Sequence, residues 1–90
     1  MKSMAIHLTE RERQVARLIS LGCTVPEVAK ILKLSPSTVD NHKSRLMAKL
    51  GTDKAALLTR LSIKNKITSM NDRLSTAEKR ASGRKDDGWN

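Results

Sequence analysis

Ser37, Asp40, Asn41, Ser44 and Arg45 recur at spacings that one side of a helix would gather, and all five carry hydrogen-bonding heads. The carboxamide of Asn41 can donate and accept together, which is what adenine N6 and N7 require in a duplex major groove. Ionised Asp40 only accepts, so the group it could read is the N4 amino group of cytosine. A second reading of Asp40 is a carboxylate in the first half of a helix, favoured by the helix dipole and by nearby Lys43. Other chemistries are poorly supplied. His7, Cys23 and His42 do not stand at zinc-ligand spacing, and a lone cysteine forms no internal disulfide. There is no nucleophile with a base and an orienting group, no glycine-rich phosphate loop and no carboxylate cluster. The expectation is a protein that is not an enzyme, with no metal, cofactor or small-molecule ligand.

The elements that must position those side chains come from a short, basic chain. Ninety residues with a formal charge of +9, 38% apolar and 1% aromatic, build one small domain whose core is aliphatic, which suits packed helices. Residues 1–67 hold 13 Lys+Arg against 5 Asp+Glu, so the excess charge belongs to the segment expected to fold. Such a surface attracts polyanions, nucleic acid first and an anionic membrane second. The longest apolar run is Ala55 to Leu58 and no leader pattern opens the chain, so a soluble, cytoplasmic protein is expected.

Capping signals divide the chain. Thr9 and Glu12 form a capping box ahead of the stripe Val15, Leu18 and Ile19, and Gly22 supplies the stop, predicting a helix at about 10–21. Thr24 and Glu27 form a second box, with Pro26 in the first turn and Cys23 and Val28 as a hydrophobic staple, predicting a short helix that ends near Lys33. Ser35 can cap a third helix that starts at Pro36 and runs to Leu50, burying Val39, His42, Leu46 and Leu50 before Gly51. Thr52 or Asp53 can cap a fourth that carries Leu57, Leu61 and Ile63. Beyond it, Ile63, Ile67, Met70, Leu74, Ala77 and Ala81 follow a heptad seam, which suggests a long partner-binding helix. Asn65, Thr68, Ser69, Asn71, Ser75 and Thr76 oppose that helix, and Ser75 to Glu78 offers a restart. A frayed tail is expected more than an ordered one, with disorder from Ser82 and no structural role for Trp89.

A short helix, a tight turn and a longer helix with a small polar outer face form the arrangement that lays a helix in the major groove. At this point Leu8-Thr9-Glu10-Arg11-Glu12, Val15, Ile19, Gly22, Glu27-Val28-Ala29, Leu32, Leu34-Ser35, Thr38-Val39, His42, Leu46 and Lys49-Leu50-Gly51 resemble the LuxR-type helix-turn-helix domain. The resemblance covers about residues 8–67. It implies an all-α, four-helix bundle at 1–67; residues 68–90, outside the resemblance, are expected to be a charged, partly helical or disordered extension. It also implies the output domain of response regulators or quorum-sensing regulators, which controls bacterial transcription. Helix three then reads DNA through Asp40, Asn41 and Ser44, with Lys43, Arg45 and Lys49 near the backbone. Asp40 stands where the family usually has a basic residue, and Val25-Pro26 where its scaffold helix usually opens with Asn and a basic residue, which removes a phosphate contact at each place.

Lys30, Lys33 and Lys54 are further candidates for the DNA backbone, and Ser35 or Ser37 for a contact at the helix entrance; any one cation alone is more readily an ordinary solvated charge. Leu57, Leu58 and Leu61 exceed one buried stripe, so they either close the bundle or lend a face to a homodimer on an inverted-repeat site. RNA polymerase is a further candidate partner. Two other readings compete: a sigma-factor-like promoter-reading region, and a basic protein-interaction module using the seam 63–81. The seven residues before Leu8 hold neither a receiver nor a sensor, so the expectation is an excised output domain or a small stand-alone regulator.

Overall fold

The computed structural model describes residues 7–83, and within them every regular element is a helix. Helix α1 (Glu10–Ser20) opens as expected: Glu12 N–H donates to Thr9 Oγ1 at 3.1 Å while Thr9 N–H donates to the Glu12 carboxylate at 3.0 Å. Gly22 then takes φ 94°, a conformation that costs other residues strain, and α2 (Val25–Leu32) begins almost at once. Its box pairs Thr24 with Glu27 at 3.3 and 2.8 Å. Helix α3 (Pro36–Leu50) starts with Thr38 N–H donating to Ser35 Oγ at 3.2 Å. It ends on Gly51 at φ 75°.

Helix α4 (Ala55–Lys64) departs from expectation at its start. Its cap position is Lys54, and no side chain caps the first turn. Thr52 Oγ1 instead accepts from Lys54 N–H at 3.1 Å, which fixes the preceding turn.

Helix α1 packs against both α3 and α4, and α2 lies against α3. Val15, Ala16 and Leu18 meet Val28 and Ala29 from α2, Val39, Leu46 and Leu50 from α3, and Leu58 from α4. Each large aliphatic side chain so buried stabilises by roughly 1.5–3 kcal/mol. The staple residues Cys23 and Val28 are both in this core. His42 is only half-buried, with an Nδ1 that is hidden and unpaired.

The heptad seam is not one helix. Asn65 closes α4, its side-chain amide donating to Leu61 O at 2.8 Å, and Lys66 turns the chain at φ 61°. The chain folds back and restarts as α5 (Thr76–Ser82), whose box pairs Ser75 with Glu78 at 3.1 and 2.8 Å. The weak helix formers between Asn65 and Asn71 give up helical hydrogen bonds at modest cost, and Leu74 gains the core in exchange. With Leu74 buried and Met70 83% exposed, the seam residues no longer share a face. The protein-interaction reading through 63–81 therefore loses its continuous surface. The extension at 68–83 packs on α2 and adds α5 to the four helices expected within 1–67. Ser82 is buried as the last residue of α5, not the start of disorder. Trp89 lies outside the described residues.

A methyl group added at Gly51 would meet nothing within 4 Å, so Gly51→Ala tests the backbone alone. The expected loss is about 1 kcal/mol, a fall in Tm of about 4–8 °C by circular dichroism. An unchanged Tm would show that the left-handed turn is not required there.

Candidate nucleic-acid interface

Because Val39, Leu46 and Leu50 turn inward, α3 presents Ser37, Asp40, Asn41, Ser44 and Arg45 to solvent. None of Asp40, Asn41 and Ser44 makes a side-chain hydrogen bond within the described residues, so their donors and acceptors remain available. The helix entrance is more occupied. Ser35 Oγ lies 2.8 Å from Thr38 Oγ1 and 3.3 Å from Ser37 Oγ, besides capping the helix. Lys30, Lys33, Arg45 and Lys54 are exposed and Lys43 is half-buried. None of these five cations has an ion-pair partner among the described residues.

Lys49, another backbone candidate, differs in having a partner: its Nζ donates to the Glu12 carboxylate at 2.7 Å while the side chain stays exposed. Glu12 is only 1% exposed. Burial by itself would raise its pKa, but Lys49 and the Thr9 amide outweigh burial and hold the carboxyl below its ordinary value. This contact ties the first turn of α1 to the last turn of α3. Its local half, the capping box, is visible in sequence; a partner 37 residues away leaves no local signal.

A second pairing was also invisible. Arg17 donates from Nε and Nη2 to the two oxygens of Asp72 at 2.8 and 3.2 Å, from Nη1 to Glu78 at 2.7 Å and from Nη2 to Arg73 O at 2.9 Å. Those bonds hold the Asp72 carboxyl below its usual value against burial. Burial pulls Glu78 upward, yet Arg17 and the Ser75 amide keep it low as well. The guanidinium is pushed further up by Asp72 and Glu78 and stays charged.

The three leucines of α4 separate. Leu58 is fully buried inside the protomer and has no surface for a partner, a correction to its placement at a dimer contact. Leu57 is 42% exposed and Leu61 half-buried, and both line a shallow groove with Leu50, Arg60 and Lys64. Among the described residues no group of His, Cys, Asp or Glu could hold a metal, and no helix is long and apolar enough to cross a membrane.

A short scaffold helix, a three-residue turn and a longer helix with a free polar face define a helix-turn-helix protein. Residues 7–62 match the family described as bacterial regulatory proteins, luxR family, and the chain belongs to that family. It is 49% identical over 53 residues to the transcriptional regulatory protein UhpA of Escherichia coli K12, covering 59% of this chain and 27% of that protein. It is 46% identical over 50 residues to the probable transcriptional regulatory protein NarL of Mycobacterium tuberculosis, covering 54% and 23%. With the response regulator UvrY of Escherichia coli K12 it shares 38% over 58 residues, covering 64% and 27%. The matched segment thus spans about a quarter of each of these relatives. No solved structure matches the chain. This is a non-enzymatic, DNA-binding domain of transcription regulators.

The three lowered carboxyls set the response to acid. A depressed folded-state pKa gives stability that is complete above the unfolded values, roughly 4, and lost as pH falls through the lower folded ones. Urea unfolding should give a stability that is level from neutrality to about pH 5.5 and falls below about pH 4. Asp72→Asn with Glu78→Gln should lower the plateau and flatten the fall. A fall of equal steepness in that variant would exclude the Arg17 pairing as a source of acid sensitivity.

Proposed function

We propose that this domain recognises a particular duplex sequence by laying α3 in the major groove, with Asp40, Asn41 and Ser44 at the base edges. The observation that carries the reading is the exposed face of α3, on which those three side chains have no hydrogen-bond partner among the described residues. Asn41 pairs with adenine, and Asp40 accepts from a cytosine amino group. Asp40 also repels phosphate, so it lowers affinity for duplexes in which its base partner is absent. Ser37, Lys30, Lys33, Lys43, Arg45 and Lys54 supply the backbone contacts, and Ser35 serves chiefly as the cap.

The same reading makes the DNA-bound form a homodimer through Leu57 and Leu61, matched to two inverted half-sites. As in the regulators it resembles, this segment would be the part of a transcription regulator that touches DNA, working in the cytoplasm beside RNA polymerase. The family match over 7–62 favours this over a sigma-factor region.

Selection from a randomised duplex pool at near-physiological salt tests the proposal, and enrichment of two inverted half-sites is the expected result. Binding without enrichment would reduce the protein to a non-specific binder. On the enriched duplex, Asn41→Ala should cost about 1–3 kcal/mol and relax preference at one base pair per half-site. Arg45→Ala should weaken all duplexes alike and make the salt slope shallower by about 1 per removed phosphate contact. Leu57→Lys should abolish cooperative binding in a folded protein; cooperativity that survives would place the dimer contact elsewhere.

A further inference from the structure

The segment after α4 lies beyond the family match, yet it is built into the domain by side-chain contacts. Arg17 on α1 engages three of its residues at once, Asp72 through both carboxylate oxygens, Glu78 and the Arg73 carbonyl. Thr68 Oγ1 also donates to Asp72 at 2.7 Å, orienting the carboxylate from within the segment. Leu74 enters the core, and α5 lies along α2, where Ala77, Glu78 and Ala81 face Ile31 and Lys33 across a cleft.

Helix α2 needs such a neighbour. It has eight residues, too few to persist as an isolated helix, and its last cap is Lys33, a non-glycine residue at φ 59°. Its packing against α3 supports one side, and α1 adds a smaller contact. Helix α5 supports another. Since the short turn 33–35 passes any movement of α2 directly to the start of α3, whatever steadies α2 also steadies the polar face.

We propose that residues 68–83 are a strap that steadies the scaffold helix for DNA binding, and that Arg17 is a positioning residue acting on recognition through that strap. The proposal rests on the DNA-binding reading above. It assigns Arg17, which faces the strap, a role in affinity without contact to DNA. Orientation is retained by the fork geometry, in which two parallel bonds to Asp72 fix the plane of the guanidinium while Nη1 reaches Glu78.

Two full-length variants break the same contact while changing net charge in opposite directions. Arg17→Gln lowers the charge of +9 by one, whereas Asp72→Asn with Glu78→Gln raises it by two. Affinity for the duplex recovered by selection is measured over a series of salt concentrations, with hydrogen exchange followed along the chain. Both variants are expected to weaken binding by about threefold to thirtyfold, with the salt slope unchanged. Exchange should quicken in α2 and in 68–83 while the amides of α3 that face the core stay protected. If affinity instead follows charge, weaker for Arg17→Gln and tighter for the double variant, the fork matters only through long-range electrostatics and the proposal fails. Faster exchange in 68–83 with unchanged affinity also overturns it, and so does α2 exchange that stays slow after the strap is released. Should Arg17→Gln prove unfolded, the double variant decides, because its changes lie outside α1 to α4. Absence of duplex binding by the unaltered protein would overturn the DNA reading and the strap with it.

Discussion

A carboxylate removed from water must be paired or become neutral, and Glu12 has been paired twice. One oxygen accepts from the Thr9 amide at the start of α1 and from the Lys49 ammonium at the end of α3. The capping of one helix and the placement of another thus meet on a single side chain. Around that fixed point the aliphatic core can be loosely specified, because Val15, Leu18, Leu46 and Leu58 have no directional bonds of their own. The direction comes from the ion pair, and the adhesion from the leucines.

What this arrangement leaves free is as important as what it ties down. Among the described residues, the cations on α2, at Arg45 on α3 and at the start of α4 have no carboxylate partners, while the acidic residues with ion pairs are those that hold helices together. A basic protein could have dispersed its carboxylates over the whole surface. Here Glu12, Asp72 and Glu78 neutralise charge at helix junctions, and the side that faces a polyanion keeps its potential. Glu10, Asp40 and Asp53 have no ion pair among the described residues, and Asp40 stands on the exposed face of α3. In the proposed reading of α3, the Asp40 carboxylate would filter against the wrong duplex.

The sequence revealed most where the determining interaction is local. Three capping boxes, at Thr9, Thr24 and Ser75, are each a contact over three residues and could be read directly, as could the stops at Gly22 and Gly51. The inward side of α3 followed from spacing alone. Lys49 and Arg17 were harder because their partners lie 37, 55 and 61 residues away, and a lysine bound to a buried glutamate looks in sequence like one waiting for phosphate. The seam from Ile63 to Ala81 failed for a different reason. Apolar spacing shows which residues could share a face, but Leu74 had a better place in a core that only the folded chain reveals. Leu57 and Leu58 likewise differ by one position in sequence and by the whole thickness of the helix in exposure.

The absence of Phe, Tyr and Trp from residues 7–83 carries a consequence for how this domain can change over time. Flat, rigid rings fix their neighbours, whereas Leu, Ile, Val and Met exchange for one another at a cost usually below about 1.5 kcal/mol when volume is kept. An interior made of such interchangeable parts can drift in sequence with little penalty. The capping residues and the buried glutamate have no equivalent substitutes. Lineages descended from this chain would therefore retain its helix boundaries long after the identities of its core residues had diverged.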